Sequence, residues 1–469
     1  MILDERLIKT VPSERQIKHQ QLEFYAFIHF TVNTFTDREW GDGKESPDIF
    51  APSKLDPEQW VLSVKSAGMR GLILTCKHHD GFCLWDTKLT AHNVMNSPCG
   101  RDIVRETADA CKKQGIKFGV YLSPWDRNSP LYGRGSEYDD FFVGQLTELL
   151  TGYGEVFSVW FDGACGEGEN GKKQYYDWER YYAVIRRLQP DACISVCGPD
   201  VRWCGNEAGH TRAAEWSVVP ERAKDSEIIS EKSQHEDSEE FRQREVNARD
   251  SDLGSRDILR GEERLIWYPA EVNTSIRPGW FWHESENDKV RPLAELADIY
   301  MKSVGGNATF LLNVPPTNEG LIHENDVKRL YELGGFLRRT FAENILPSTA
   351  LSCENAAGGH GIENVLEDSY DSFFMPTSPR TEVTLTFGKP EKLGCLVLKE
   401  NIRMSQRIES FAVEVRENGV FRRVYSGTVV GYKRIVPLGG VVTDCIRISI
   451  SDSRTQPTLS FIGAYRQGQ

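Results

Sequence analysis

A chain of 469 residues with a formal charge of −13 exceeds one ordinary domain, and its acidity argues against nucleic acid or an anionic membrane as a partner. Its 39% hydrophobic and 27% charged residues are the mix of a soluble globular protein, and no apolar run approaches the roughly 20 residues of a membrane span. The eleven cysteines are scattered without a CxxC pair, so neither a zinc nor a disulfide framework is expected. Met1-Ile2-Leu3-Asp4-Glu5 lacks the basic-then-apolar order of a signal peptide, so the chain reads as a cytoplasmic form or as a mature form whose signal has been removed.

After a polar start, Phe24 to Phe30 is a continuous apolar strand ending at His29, followed by a loop with Asp37, Glu39, Trp40, Asp42 and Glu45. Leu55 to Met69 has helical spacing, and Gly71 to Cys76 is a second buried strand whose exit is Lys77-His78-His79-Asp80-Gly81. A helix from about Ile103 to Gly115 leads into a strand from Lys117 to Leu122 with the exit Ser123-Pro124-Trp125-Asp126. Phe141 to Tyr153 is helical, Phe157-Ser158-Val159-Trp160-Phe161 is strand four, Tyr181 to Leu188 is helical, and Ala192 to Gly198 is strand five. Ala214 to Val219, weakly, then Leu265 to Tyr268 and Ala308 to Val314 complete eight units. Eight apolar strands alternating with helices predict a closed (β/α)8 barrel in preference to an open doubly wound sheet.

No GxGxxG or Walker sequence follows any strand, which weakens nucleotide-binding alternatives, and no cofactor is expected. Glu221 to Arg264 is a charged tract that reads as a solvated helical insertion or as a lid. From about Pro347 short β-type runs between Gly, Pro and Asp turns predict a β-sandwich. The expected division is therefore 1–345 for the barrel and 346–469 for the sandwich.

Asp162 ends strand four directly before Gly163. By itself such a residue is a turn former or helix cap, or a catalytic carboxylate at a strand mouth. The other exits of a (β/α)8 barrel decide between these readings, because chemistry sits on the loops after the strands and those exits collect His29, His78, His79, Tyr121 and Trp160. Glycoside hydrolysis needs two carboxyl groups, one to attack or activate water and one to protonate the leaving oxygen. Glu207 in Arg202-Trp203-Cys204-Gly205-Asn206-Glu207-Ala208-Gly209 is the candidate partner, with Glu215 its rival. The histidines, with Trp40, Trp85 and Trp160 nearby in sequence, suit contact with sugar hydroxyls and ring faces, or else hydrogen bonding within a polar barrel mouth.

Phe27-Ile28-His29-Phe30, Lys77-His78-His79-Asp80-Gly81-Phe82, Phe118 to Trp125 and Val159-Trp160-Phe161-Asp162-Gly163 together resemble the α-L-fucosidases of glycoside hydrolase family 29, over about residues 10 to 345. The resemblance implies a retaining, metal-independent mechanism with Asp162 as nucleophile. It also implies a fucosylated oligosaccharide or glycoconjugate as substrate, with His29, Trp40, His78, His79, Tyr121 and Trp160 at fucose-contacting positions. The Arg202-to-Glu207 motif resembles the subfamily preferring α1,3 and α1,4 branches, which points to Glu207 as acid/base and to Arg202 turned toward the sugar or Asp162. Thr31 departs from the glycine often found after His-Phe in the family, and its bulk is expected to narrow the pocket or alter a fucose contact. The C-terminal part resembles discoidin-type modules. Two rival readings are a metal-dependent barrel hydrolase with His29, His78, His79 and Asp162 as ligands, and a non-catalytic glycan-binding protein on the same scaffold.

Overall fold

The computed structural model describes residues 3–225, 229 and 252–468. Its first part is a nearly closed eight-stranded parallel barrel. The strands are β1 (Phe24–Ile28), β2 (Gly71–Lys77), β3 (Lys117–Leu122), β4 (Ser158–Phe161), β5 (Cys193–Val196), β6 (Arg202–Trp203), β7 (Ala270–Ser275) and β8 (Ala308–Asn313). Their spatial order is β5-β4-β3-β2-β1-β8-β7-β6, and a single parallel bridge from Ser195 to Val201 spans the remaining seam.

Alternation along the strands sorts the residues into two cores. Tyr25, Phe27, Ile73, Tyr121, Trp160, Val196 and Leu311 face inward and pack on one another inside the barrel. Phe24, Ala26, Ile28, Leu72, Leu74, Val120, Val159 and Phe161 face outward and join the helical layer in the main core. Local signals fix the helix starts: Asp56 accepts from the Glu58 and Gln59 N–H groups ahead of Pro57–Ser66, and Asp102 caps Ile103–Gln114, which ends on left-handed Gly115.

Six of the eight expected strands are barrel strands, and the sixth and seventh are not. Val218–Pro220 and Leu265–Trp267 pair antiparallel with each other in a separate ribbon. Their places in the barrel are taken by the two-residue β6, which reads as loop, and by β7, whose sequence Ala-Glu-Val-Asn-Thr-Ser carries no apolar run. Both are hard to see for a physical reason: the inward row of β7 includes polar groups, among them Glu271, which the Tyr25 hydroxyl and the Trp160 indole satisfy inside the barrel. Of the charged tract at 221–264, residues 226–228 and 230–251 lie outside the described residues.

The last helix of the barrel part is Glu324–Thr340. Beyond it β9 (Ala350–Cys353), β10 (Thr381–Glu400), β11 (Ile408–Glu417), β12 (Val420–Gly427), β13 (Arg434–Ser453) and β14 (Leu459–Arg466) form an antiparallel β-sandwich. The long strands β10 and β13 pair from Thr381–Ile450 to Leu398–Arg434 with register breaks that let them bend. Val383, Leu385, Leu396, Phe411, Val436 and Ile448 are part of its core. The sandwich hydrogen-bonds to the end of the barrel where β1 and β8 begin: Ile435 N–H donates to Gly305 O at 2.9 Å and Tyr432 N–H to Asn307 Oδ1 at 2.7 Å. Among the described residues no helix is long and apolar enough to cross a membrane.

Candidate active site

The exits of β1, β2, β4 and β5, with the segments that follow β6 and β7, surround a cavity that opens to solvent. Phe27, His29, Trp40, His78, His79, Trp160, Asp162, Trp203, Glu207, Asn273 and Trp280 line it. Asp162 takes up the first residue past β4, so its carboxylate leaves an apolar strand and enters this cavity with 23% of the side chain exposed. Ala164 N–H donates to Oδ1 at 2.8 Å, the local turn that an Asp-Gly pair favours, and the Tyr121 hydroxyl donates to Oδ2 at 3.0 Å. Burial raises its pKa, opposed by the N–H groups of Ala164 and Gly163 and by the Tyr121 hydroxyl.

The three histidines are held neutral, chiefly by burial: His29 at about 4, His79 at about 3, and His78 well below its ordinary range. Their partners also fix the tautomers of two of them. Asn313 Nδ2 donates to Trp280 O at 2.7 Å and to Ser275 Oγ at 2.9 Å, so its Oδ1, 2.8 Å from His29 Nδ1, must be accepting. His29 therefore carries its proton on Nδ1 and offers Nε2 as an acceptor. Ser123 Oγ donates to Trp125 O at 2.7 Å and accepts from His79 Nδ1, also at 2.7 Å, which leaves His79 Nε2 as an acceptor 3.8 Å from Asp162 Oδ2. His78 Nδ1 is buried without a hydrogen-bond partner among the described residues. Such an array is built to meet neutral hydroxyl donors. His78 and His79, adjacent in sequence, both reach the cavity because β2 ends at Lys77.

Glu207 lines the same cavity and accepts from the Trp280 indole N–H at 3.1 Å. Its rival Glu215 is fully buried elsewhere, receiving Arg202 Nη2 at 2.7 Å and both the N–H and Nη1 of Arg212. Burial would raise the Glu215 carboxyl, but the two arginines overcome it and the pKa is lowered, which unsuits it for donating a proton. Arg202 is accordingly not where it was expected. Its guanidinium faces Glu215 and the carbonyls of Tyr268 and Trp216 and does not line the cavity, because the buried Glu215 carboxylate and the two carbonyls hold its Nε and Nη2. Trp85 is likewise a core residue, donating to Glu148.

Thr31 does not narrow the cavity. It is fully buried, and its hydroxyl donates to Asp80 Oδ2 at 2.8 Å and accepts from Asn33 N–H at 3.2 Å. Asn33 in turn donates to the Glu39 carbonyl at 3.1 Å. The hydroxyl thus ties the loop bearing Trp40 to the turn bearing His78 and His79. Among the described residues one group of potential metal ligands stands together, His78, His79 and Asp162, with ligand atoms within 4.8 Å of one another.

A family profile described as alpha-L-fucosidase matches residues 11–341. The chain belongs to the alpha-L-fucosidase family. It is a glycoside hydrolase. Alpha-L-fucosidase 1 of Arabidopsis thaliana is 40% identical over 98% of this chain and 88% of its own length. A solved structure of a putative alpha-L-fucosidase from Bacteroides ovatus superposes with a TM-score of 0.85 at 42% identity, over 100% of this chain and 77% of that one. A Ruminococcus gnavus GH29 fucosidase solved in complex with fucose gives a TM-score of 0.84 at 29% identity, over 98% of this chain and 95% of that one.

Sequence reasoning missed Trp203, Asn273 and Trp280 as lining residues of this fucosidase. Trp203 stood inside the motif read for its glutamate, but the other two follow from recognising β7, which has no apolar signature. The turn that carries Trp280, Arg277-Pro278-Gly279, was the only local clue.

Proposed function

We propose that this fucosidase removes terminal α1,3- or α1,4-linked L-fucose from glycans by double displacement. The observation that carries the reading is that Asp162 and Glu207 line one cavity together with three neutral histidines and four tryptophans. Asp162 acts as nucleophile: its carboxylate, aligned by Tyr121 and Ala164, forms a bond to the anomeric carbon as the bond to the aglycone oxygen breaks. Glu207 gives that oxygen its proton. Glu207 then takes a proton from water, the water oxygen attacks the anomeric carbon, and Asp162 leaves, so the configuration is retained. His29 Nε2 and His79 Nε2 accept from sugar hydroxyls, Trp40, Trp160 and His78 complete the contact surface, and Tyr121, buried outside the cavity lining, acts through its hydrogen bond to Asp162. Arg202 supports the site through Glu215 in place of touching the sugar. Residues 1–345 form the catalytic unit in this reading, and 346–469 an accessory β-sandwich.

The test is a panel of α1,2-, α1,3- and α1,4-fucosylated oligosaccharides scored for released fucose with wild type and with Glu207→Ala. Release from the α1,3 and α1,4 members, with a loss of about 10²–10⁴-fold in the variant that shrinks on aryl fucosides whose leaving group needs no proton, is expected. Preferential release from the α1,2 member would overturn the linkage. The grouping of His78, His79 and Asp162 favours one second reading, a metal-assisted hydrolase. Activity abolished by a chelator and restored by a divalent cation would decide for it.

A further inference from the structure

We infer that Trp280 is a positioning residue for Glu207, and that its indole determines which carboxyl oxygen carries the catalytic proton. The inference rests on the reading of Glu207 as acid/base. Trp280 lies just beyond β7, in the loop that closes one side of the cavity, and it is held at several points. Glu39 Oε2 accepts its backbone N–H at 2.8 Å, and Asn313 Nδ2 donates to its backbone carbonyl at 2.7 Å. The ring packs against His29 with centroids 5.3 Å apart. Glu39 also accepts the Phe281 N–H at 3.2 Å and meets His283 Nε2 at 2.7 Å, and His283 Nδ1 meets Asp37 at 2.6 Å, so the loop is clamped to the one that follows β1. The result is an indole whose N–H is aimed at Glu207 Oε2 from a fixed base.

An indole N–H can only donate. Facing a neutral carboxyl, it selects Oε2 as the accepting oxygen and assigns the acidic proton to Oε1. After that proton has gone to the leaving oxygen, the same bond favours the resulting carboxylate, because a donor stabilises the charged form more than the neutral one. Trp280 therefore helps Glu207 give up its proton in the first step and holds it as a base for the second. Without the donor the carboxyl is freer to rotate and keeps its proton to higher pH.

Trp280→Phe keeps an aromatic wall and removes the N–H. In a second variant benzothienylalanine at position 280, with sulfur in place of the N–H, keeps the indole outline if phenylalanine disturbs the fold. Each is compared with wild type and Glu207→Ala on a fucosylated oligosaccharide and on a nitrophenyl fucoside across pH. The expected result is a loss in kcat/KM of about 10–100-fold on the oligosaccharide, a loss of no more than about threefold on the nitrophenyl fucoside, and an alkaline limb displaced to higher pH. Equal losses on both substrates with the limb unmoved would make Trp280 a simple wall of the sugar pocket and overturn the inference. If Glu207→Ala itself falls equally on both substrates, the acid/base assignment fails. If Glu207→Ala discriminates between them and the position-280 variants do not, only the present inference fails.

Discussion

At the end of the barrel where its strands begin, Glu23 meets Lys433 Nζ at 2.9 Å and the Tyr432 hydroxyl at 2.8 Å, with Lys399 at 3.8 Å; at the opposite end Asp162 has a hydroxyl and backbone N–H groups about it. Both carboxyls leave water, yet their proton affinities diverge. Burial would raise Glu23, but Lys433 and Lys399 overcome it and bring it to about 2. Burial prevails at Asp162, as it does at Asp80 and Glu271, each pushed to about 7. Buried charge at the first end is neutralised and holds the two parts of the chain together. At Asp162 the charge meets hydrogen-bond donors in place of a cation, which keeps the carboxylate reactive at a cost in stability.

The sharpest way to separate the two ends is to remove their carboxylates. Asp162→Gly should lower kcat by about 10⁴-fold or more while the thermal midpoint holds or rises, since an unpaired buried acid is lost; steady-state kinetics and calorimetry check both halves. Full turnover in this variant would sink the nucleophile assignment. Lys433→Met should do the reverse, destabilising by about 3–5 kcal/mol in urea unfolding while the folded enzyme keeps its kcat. The pH dependence of stability has a matching sign. Glu23 has a folded pKa below its ordinary 4.5, so its contribution is complete above 4.5 and is lost as pH falls toward about 2.

Smaller changes sharpen the comparison at the reactive end. Asp162 works as a carboxylate, so activity rises with pH through its raised pKa. Tyr121→Phe removes an O–H that favours the charged form and should move the acidic limb of kcat/KM to higher pH, with a loss of several-fold below the limb and little above it. Thr31→Val deletes the donor to Asp80 without changing shape. The expectation is a rise in KM of about two- to threefold that Thr31→Ser reverses, measured by initial rates. An unchanged KM would show that the two loops hold their places without the hydroxyl.

Much of this was legible in the sequence wherever hydrophobic pattern and site coincide. β1 to β5 and β8 are apolar and end in polar groups, so the pattern that located the strands also located His29, His78, His79, Trp160 and Asp162 at their mouths. It failed where the barrel interior is polar. Glu271 and Asn273 interrupt β7, and β6 is two residues long, so Leu265–Trp267, a better apolar run, stood in for it. Arg202 was misread for a related reason: its neighbours in sequence say nothing of Glu215, the partner that tertiary packing supplies. Trp280 depends on a clamp between loops far apart in the chain, which no local pattern encodes.

The hydrogen bonds from Tyr432 and Ile435 to Asn307 and Gly305, with the ion pair to Glu23, reach the residues that lead into β8 and β1. Those two strands pair with each other although almost the whole barrel sequence lies between them. Bringing them together carries the largest loop-closure entropy in the barrel, and the groups that fasten the junction are synthesised only after every barrel strand. A ribosome-bound chain lacking residues beyond 345 would hold the catalytic side chains but not this fastening. Resistance of nascent chains to protease is thus expected to rise abruptly once β13 has emerged.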